Sequence, residues 1–211
     1  MTEIVETKRD RIARRQVDKF DARRKELAIA TLHTLADLGY ARTSLREIAQ
    51  NSEYSHGVLH YYFADKRELI TEAVRQYEAI CVTRYDDVVA RVTSTEQLRR
   101  EFTAVFCSTM ETDAALHRLW YDLRNQSLFD ESFRKDVLEI DERREAMIWR
   151  VVSRYAELAD TEPACSPATA YAALDGVFQR ALLCALSGLD STVAALDEEI
   201  PRLLDLLVIG K

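Results

Sequence analysis

Apolar residues recur every three or four positions along nearly the whole chain, the period of a helix rather than the alternation of a strand. In "RKELAIATLHTLADLGY", Leu27, Ala30, Thr31, Thr34 and Leu38 form one stripe, with Ala28, Leu32 and Leu35 beside it. Gly39 then supplies the left-handed residue that closes such a helix. "TSLREIAQN" opens with Ser44 and carries Glu47 three residues on, a capping box ahead of the apolar Leu45, Ile48 and Ala49. After the turn "SEYS", Ser55 caps a short helix over "HGVLHYYF". Asp65 with Glu68 then begins a long helix from about Lys66 to Val92. Further helices are expected near 95–111, 113–128, 131–159, 167–187 and 191–208, starting at Thr95, Ser132, Ser166 or Pro167, and Ser191. Gly188 and "DTEPACSP" read as breaks. The period predicts an all-α fold, and its second and third helices have the lengths of a helix-turn-helix.

Composition sharpens this picture in three ways. Five Gly and three Pro in 211 residues leave long helices uninterrupted, and 47% hydrophobic with 31% charged residues is the balance of an ordinary globular protein. No apolar run reaches the roughly 18 residues of a membrane span, and "MTEIVETKRDRIARR" lacks the apolar centre of a secretory signal. Cys81, Cys107, Cys165 and Cys184 form no C-x-x-C pair, so reduced thiols in a cytoplasmic protein are expected. The net charge of −7 is uneven, with 13 basic against 11 acidic residues up to position 69. Within 8–25, nine basic residues face three acidic ones. Such a block reads either as a local contact with a polyanion or as a solvated tail.

The densest chemistry lies in "SEYSHGVLHYYFADKREL". On a helix from Ser55 to Phe63, Leu59 and Phe63 share an apolar face with Tyr54 just before it. His56, Gly57, Val58, His60, Tyr61 and Tyr62 are left on the other faces. Imidazoles and phenols can hydrogen-bond phosphates or base edges, and a valine can meet a thymine methyl. Arg46 has the fork that fits guanine, and Lys66 at a helix start suits a phosphate. Two other readings compete. His56 and His60, four apart, have a chelating spacing but lack a third good ligand, so no metal is expected; alternatively the tyrosines only pack. No nucleophile elbow, P-loop or dinucleotide fingerprint points to an enzyme or a cofactor.

"TSLREIAQNSEYSHGVLHYYFADKRELI" closely resembles the DNA-binding segment of TetR-family transcriptional repressors. Thr43, Ile48, Ala49, Ser55, Gly57, Leu59, Tyr62, Phe63, Lys66 and Leu69 match that pattern position by position. Glu53 stands in place of the usual turn glycine, Tyr54 in place of valine and His60 in place of tyrosine. The resemblance implies a three-helix DNA-binding domain over 20–66, after a basic and flexible arm over 1–19. A helical ligand-binding and dimerisation domain would fill 67–211. It implies base contacts from Arg46, His56, Gly57, Val58, His60 and Tyr61. Thr43, Ser44, Tyr62 and Lys66 would meet phosphates, and Ser55 belongs to the same site. The implied partners are a palindromic double-stranded operator, a second copy of the chain and a small-molecule effector; the alternative is a helical ligand-binding protein that binds no DNA.

In the C-terminal part, "TAYAALDGVFQRALLCALSG" and "STVAALDEEIPRLLDLLVIG" offer two apolar helices, about 167–187 and 191–208, for a four-helix dimer interface; packing within one subunit is the other reading. "LDGVFQRALL" also resembles, more weakly, the subgroup that includes the choline-responsive BetI repressors. Phe102, Phe106, Met110, His117, Trp120, Tyr121, Arg124, Trp149 and Phe178 have the mix of bulky apolar and polar groups expected of a ligand cavity. Trp120, Tyr121 and Trp149 would be the rings to cage a quaternary ammonium.

Overall fold

A computed structural model describes residues 8–40, 43–188 and 192–210. Residues 1–7 of the expected arm and Ser191, the expected start of the last helix, lie outside them. Ten α-helices account for the described fold: α1 (Lys8–Leu38), α2 (Leu45–Gln50), α3 (His56–Tyr62), α4 (Lys66–Cys81), α5 (Asp86–Arg91), α6 (Thr95–Thr112), α7 (Ala114–Gln126), α8 (Arg134–Leu158), α9 (Pro167–Leu186) and α10 (Thr192–Leu206). α1 lies along α4 and also touches α7, α8 lies along α9, and α10 lies along α6.

The starts follow the side chains that cap them. Ser44, Ser55, Asp65, Ser94 and Ser166 each accept a hydrogen bond from the backbone N–H three residues on, which satisfies one of the orphan donors of a first helical turn. Glu68 reaches back past the Asp65 cap and accepts from the Ala64 N–H at 2.7 Å, one residue before the N–H that a capping box uses. Gly39, at φ 73°, ends α1 with its N–H on the Leu35 carbonyl at 2.9 Å. The buried stripe of α1 is Leu27, Ala28, Thr31, Leu32, Leu35 and Ala36, turned from the expected one: of the stripe read from spacing Leu27 and Thr31 are inside, Thr34 and Leu38 are half-buried and Ala30 is exposed.

Two expectations are corrected. Residues 8–19, read as a flexible arm, continue α1 as helix from Lys8. The helix expected from Lys66 to Val92 stops at Cys81 and resumes at Asp86. Neither Gly nor Pro marks that break. It is imposed from outside, by the ion pair of Arg84 with Asp113 at 2.6 Å and the burial of the Tyr85 ring against Phe102 at 4.7 Å.

Candidate nucleic-acid interface and effector cavity

α3 has seven residues, too few to hold a helix by itself, so its anchors matter. Ser55 caps its start, while Leu59 (0% exposed) and Phe63 (1%) fix its inner face. At its far end Arg24, from α1, donates to the Tyr62 carbonyl at 3.1 Å and to Glu68 at 2.6 Å while lying 4.8 Å above the Phe63 ring. Sequence reading missed Arg24. Its only signal is a basic residue within an otherwise well-spaced helix.

The outer face then carries His56, Gly57, Val58, His60 and Tyr61, all exposed, with Tyr61 at 71%. Ser44, Arg46 and Ser55 are exposed beside them. The His56 and His60 rings meet edge to face at 4.4 Å. No group of three or more His, Cys, Asp or Glu able to hold a metal occurs among the described residues. Phe20 of α1 leans on this face, 6.0 Å from the Tyr61 ring and 4.9 Å from that of Tyr62. Glu53, in the position where a turn glycine is usual, sits at no positive φ, so the turn needs no glycine there.

Three expected phosphate contacts are placed differently. Thr43 is buried, its hydroxyl donating to the Gly39 carbonyl. Lys66 donates to the Tyr40 carbonyl at 3.0 Å and lies 4.2 Å above that ring. Tyr62 is half-buried between Phe20 and Tyr61. All three are engaged within the chain: Thr43 and Lys66 hold the loop after α1, and Tyr62 packs α3 on α1. α7 secures the same loop: Asp122 accepts from the Tyr40 N–H at 2.7 Å, and Arg118 donates to the Ala36 carbonyl at 2.6 Å.

The adjoining face of α7, through His117 and Tyr121, borders a cavity of about 50 Å³, whose walls come from the end of α4 and the turn after it, and from α6, α7, α8 and α9. Of the expected ligand residues, Phe106, His117, Tyr121 and Phe178 line it. Phe102, Met110, Trp120 and Trp149 do not, and Arg124 borders a neighbouring groove, bound to Asp175 at 2.5 Å and Asp141 at 3.2 Å. The cage expected for a quaternary ammonium is not formed. The Trp120 face that such a cation would use already carries the Arg144 guanidinium at 4.5 Å.

Arg144 is the residue that sequence reading missed. It is buried on α8 and its Nε bonds Glu78 of α4 at 2.9 Å; Glu78 is 0% exposed. Burial works against the guanidinium's charge, but the facing carboxylate outweighs it, so Arg144 keeps its proton. His117 beside it is driven the other way: burial first, then the charges of Arg144 and Arg84, push its pKa down to about 3. Neither ring nitrogen makes a well-aligned hydrogen bond, although the Thr109 backbone stabilises the protonated form a little.

Residues 29–73, which span the last third of α1 through α3 into α4, match the model for bacterial regulatory proteins of the tetR family. The HTH-type transcriptional regulator BetI of Burkholderia lata is 28% identical over 166 residues, 77% of this chain and 84% of that protein. The fold is shared with a transcriptional regulator from Saccharomonospora viridis in complex with choline (15% identity, TM-score 0.71, 90% of this chain and all of the other). It is shared too with FadR from Bacillus subtilis in complex with stearoyl-CoA (15% identity, TM-score 0.65, 84% and 95%). The family match lies on the capped helices and outward rings described above, so residues 29–73 are similar to the DNA-binding segment of bacterial regulatory proteins of the tetR family.

Proposed function

We propose that the chain is a homodimeric repressor that presents α3 to the major groove of a palindromic operator and lets go when a small molecule enters the cavity. The observation that carries this reading is the outer face of α3, where five neighbouring exposed positions carry rings, a valine and a glycine on a helix pinned from both ends. Arg46, His56, Gly57, Val58, His60 and Tyr61 are the base-facing residues of this proposal. Ser44 and Ser55 stand where phosphates would pass; Thr43, Tyr62 and Lys66 support the helix from within. Residues 20–66 form the DNA-binding unit and 67–211 the rest. Arg46→Ala and His60→Ala should each lose about 1–3 kcal/mol on the operator and narrow the gap between it and altered duplexes. Fluorescence anisotropy with duplexes from the chain's own promoter measures this; an equal loss on every duplex would contradict the assignment of base contacts.

The helical extension 8–19 would run beside the same duplex, since Phe20 packs on Tyr61 and Tyr62. Removing residues 1–19 should flatten the dependence of log affinity on log salt by about 0.9 for each phosphate the extension neutralises. An unchanged slope would refute that role.

For the second subunit, support comes from α9, whose outward positions Ala168, Ala172, Gly176, Gln179, Leu183 and Leu186 form an uncharged stripe with Leu183 67% exposed. α10 is less apt than its sequence stripe implies: Leu196, Ile200 and Leu204 are buried, and Asp197, Glu198, Glu199 and Asp205 face out. Leu183→Glu should therefore yield a monomer in sedimentation velocity and abolish operator binding, because a charge in an apolar interface has no partner. A dimer that persists would exclude this face.

For the effector, support comes from the walls. A cavity of about 50 Å³ is well below the roughly 150 Å³ that accepts benzene, so anything ring-sized must spread its helices. Two of those helices reach the DNA-binding unit, α4 through its length along α1 and α7 through Arg118 and Asp122. A ligand that binds the spread state better than the closed one shifts the population toward it, and α3 moves with its support.

A further inference from the structure

Three kinds of group line the cavity. Tyr85, Phe106, Ile148, Leu174 and Phe178 make much of it apolar. Arg84 and Arg144 bring two guanidiniums, while the carboxylates that neutralise them, Asp113 and Glu78, are not part of the lining. Asp175, the carboxylate that does line it, is already bound by Arg124 at 2.5 Å and by the Tyr121 hydroxyl at 2.9 Å.

The third kind lacks partners. His117 is 5% exposed and Arg144 7%, yet both ring nitrogens of the first and a terminal nitrogen of the second have no aligned hydrogen bond. That terminal nitrogen lies 2.8 Å from Glu78, close enough for attraction but out of line for a bond. Buried donors without acceptors weaken a fold, and such groups call for an explanation, of which a bound molecule is one. Burial first, and then the charges of the two guanidiniums, keep the His117 imidazole neutral, and those charges make the potential there positive. An ammonium placed there would be repelled, whereas an anion would be held.

We infer that the effector is a small organic acid whose carboxylate is received by Arg144, Arg84 and the His117 N–H, and whose apolar body lies against Phe106, Phe178, Ile148 and Leu174. This rests on the cavity being the effector site and names the chemistry it takes. The choline of the Saccharomonospora structure does not carry over, because the guanidiniums in this lining have the same sign as choline itself.

The test uses the full chain and three probes that share one ring: benzoate, benzamide and phenyltrimethylammonium, titrated by calorimetry at millimolar concentrations. Benzoate should bind at least about tenfold more tightly than benzamide and should release the operator duplex, while the ammonium does neither. Arg84→Gln should erase the preference for benzoate over benzamide. His117→Phe keeps a ring in place and should reduce the same preference, so the outcome does not hang on one variant folding. Equal binding of benzoate and benzamide, tighter binding of the ammonium, no binding of benzoate, or benzoate binding that leaves the operator complex intact would each overturn the inference. Operator binding without any probe is measured on the same sample, so failure of the DNA-binding reading shows separately.

Discussion

Replacing Glu78 with alanine should cost the folded chain about 3–5 kcal/mol, more than any surface substitution in this protein. Glu78 is wholly enclosed on α4, and its carboxylate faces Arg144 of α8 at 2.9 Å. Removal leaves a guanidinium 7% exposed with no counter-charge, resting only on the ring of Trp120. The penalty is the stranded charge rather than the missing bond. Hence Glu78→Leu combined with Arg144→Met should recover most of it, since an apolar pair of similar volume can replace a buried ion pair at little cost. Urea unfolding of the two variants measures both; a loss below about 1 kcal/mol for Glu78→Ala would mean that Arg144 reaches water. The double variant should also lose benzoate binding while it stays folded, which separates the pair's part in stability from its part in the cavity.

Acid should destabilise the chain through His117. Its imidazole titrates near 6.5 when free and only near 3 in the fold, because burial and the charges of Arg144 and Arg84 oppose the proton. Above pH 6.5 both states are neutral and this contribution is complete. Below it the unfolded chain takes up a proton that the folded chain refuses, so stability falls by about 1.4 kcal/mol per pH unit until pH approaches 3. Between pH 6.5 and 4.5 the loss from this residue is about 3 kcal/mol. His117→Phe should remove that part of the decline, read as the difference between the two proteins' unfolding free energies across the range. Parallel curves would show that the imidazole is open to water and would remove one support for the acid-binding cavity.

Much of this could be read from the chain, and the rest failed for a common reason. Caps and stripes are local, so Ser44, Ser55, Asp65 and Ser166 marked helix starts correctly and Leu59 with Phe63 marked the inner face of α3. The outward rings were legible for the same reason. What was missed depends on contacts between residues far apart in sequence. The break after Cys81 is imposed by Asp113 and Phe102. Lys66 and Thr43 turned inward because the loop holding Gly39 and Tyr40 supplied carbonyls that no spacing rule foresees.

The buried pair could have been found. Val137, Ile140, Ile148, Val151 and Tyr155 make the buried stripe of α8, and Arg144 falls on it, four after Ile140 and four before Ile148. Glu78 holds the same place on α4, four after Val74 and three before Cys81. A single charge in each of two apolar stripes, with opposite signs, is the sequence signature of such a pair. Trp149 illustrates the converse. It is one residue past the stripe, and it misses the cavity.

The central claim is that the rings of α3 meet a duplex, two chains at a time. Anisotropy titration of a labelled duplex from the chain's own promoter, with stoichiometry from sedimentation, tests it most directly. The account predicts saturation at two chains per half-site pair, competition by the unlabelled operator at least about a thousandfold better than by a scrambled duplex, and loss of that gap in His60→Ala. One chain per duplex, or equal competition by both, would contradict it.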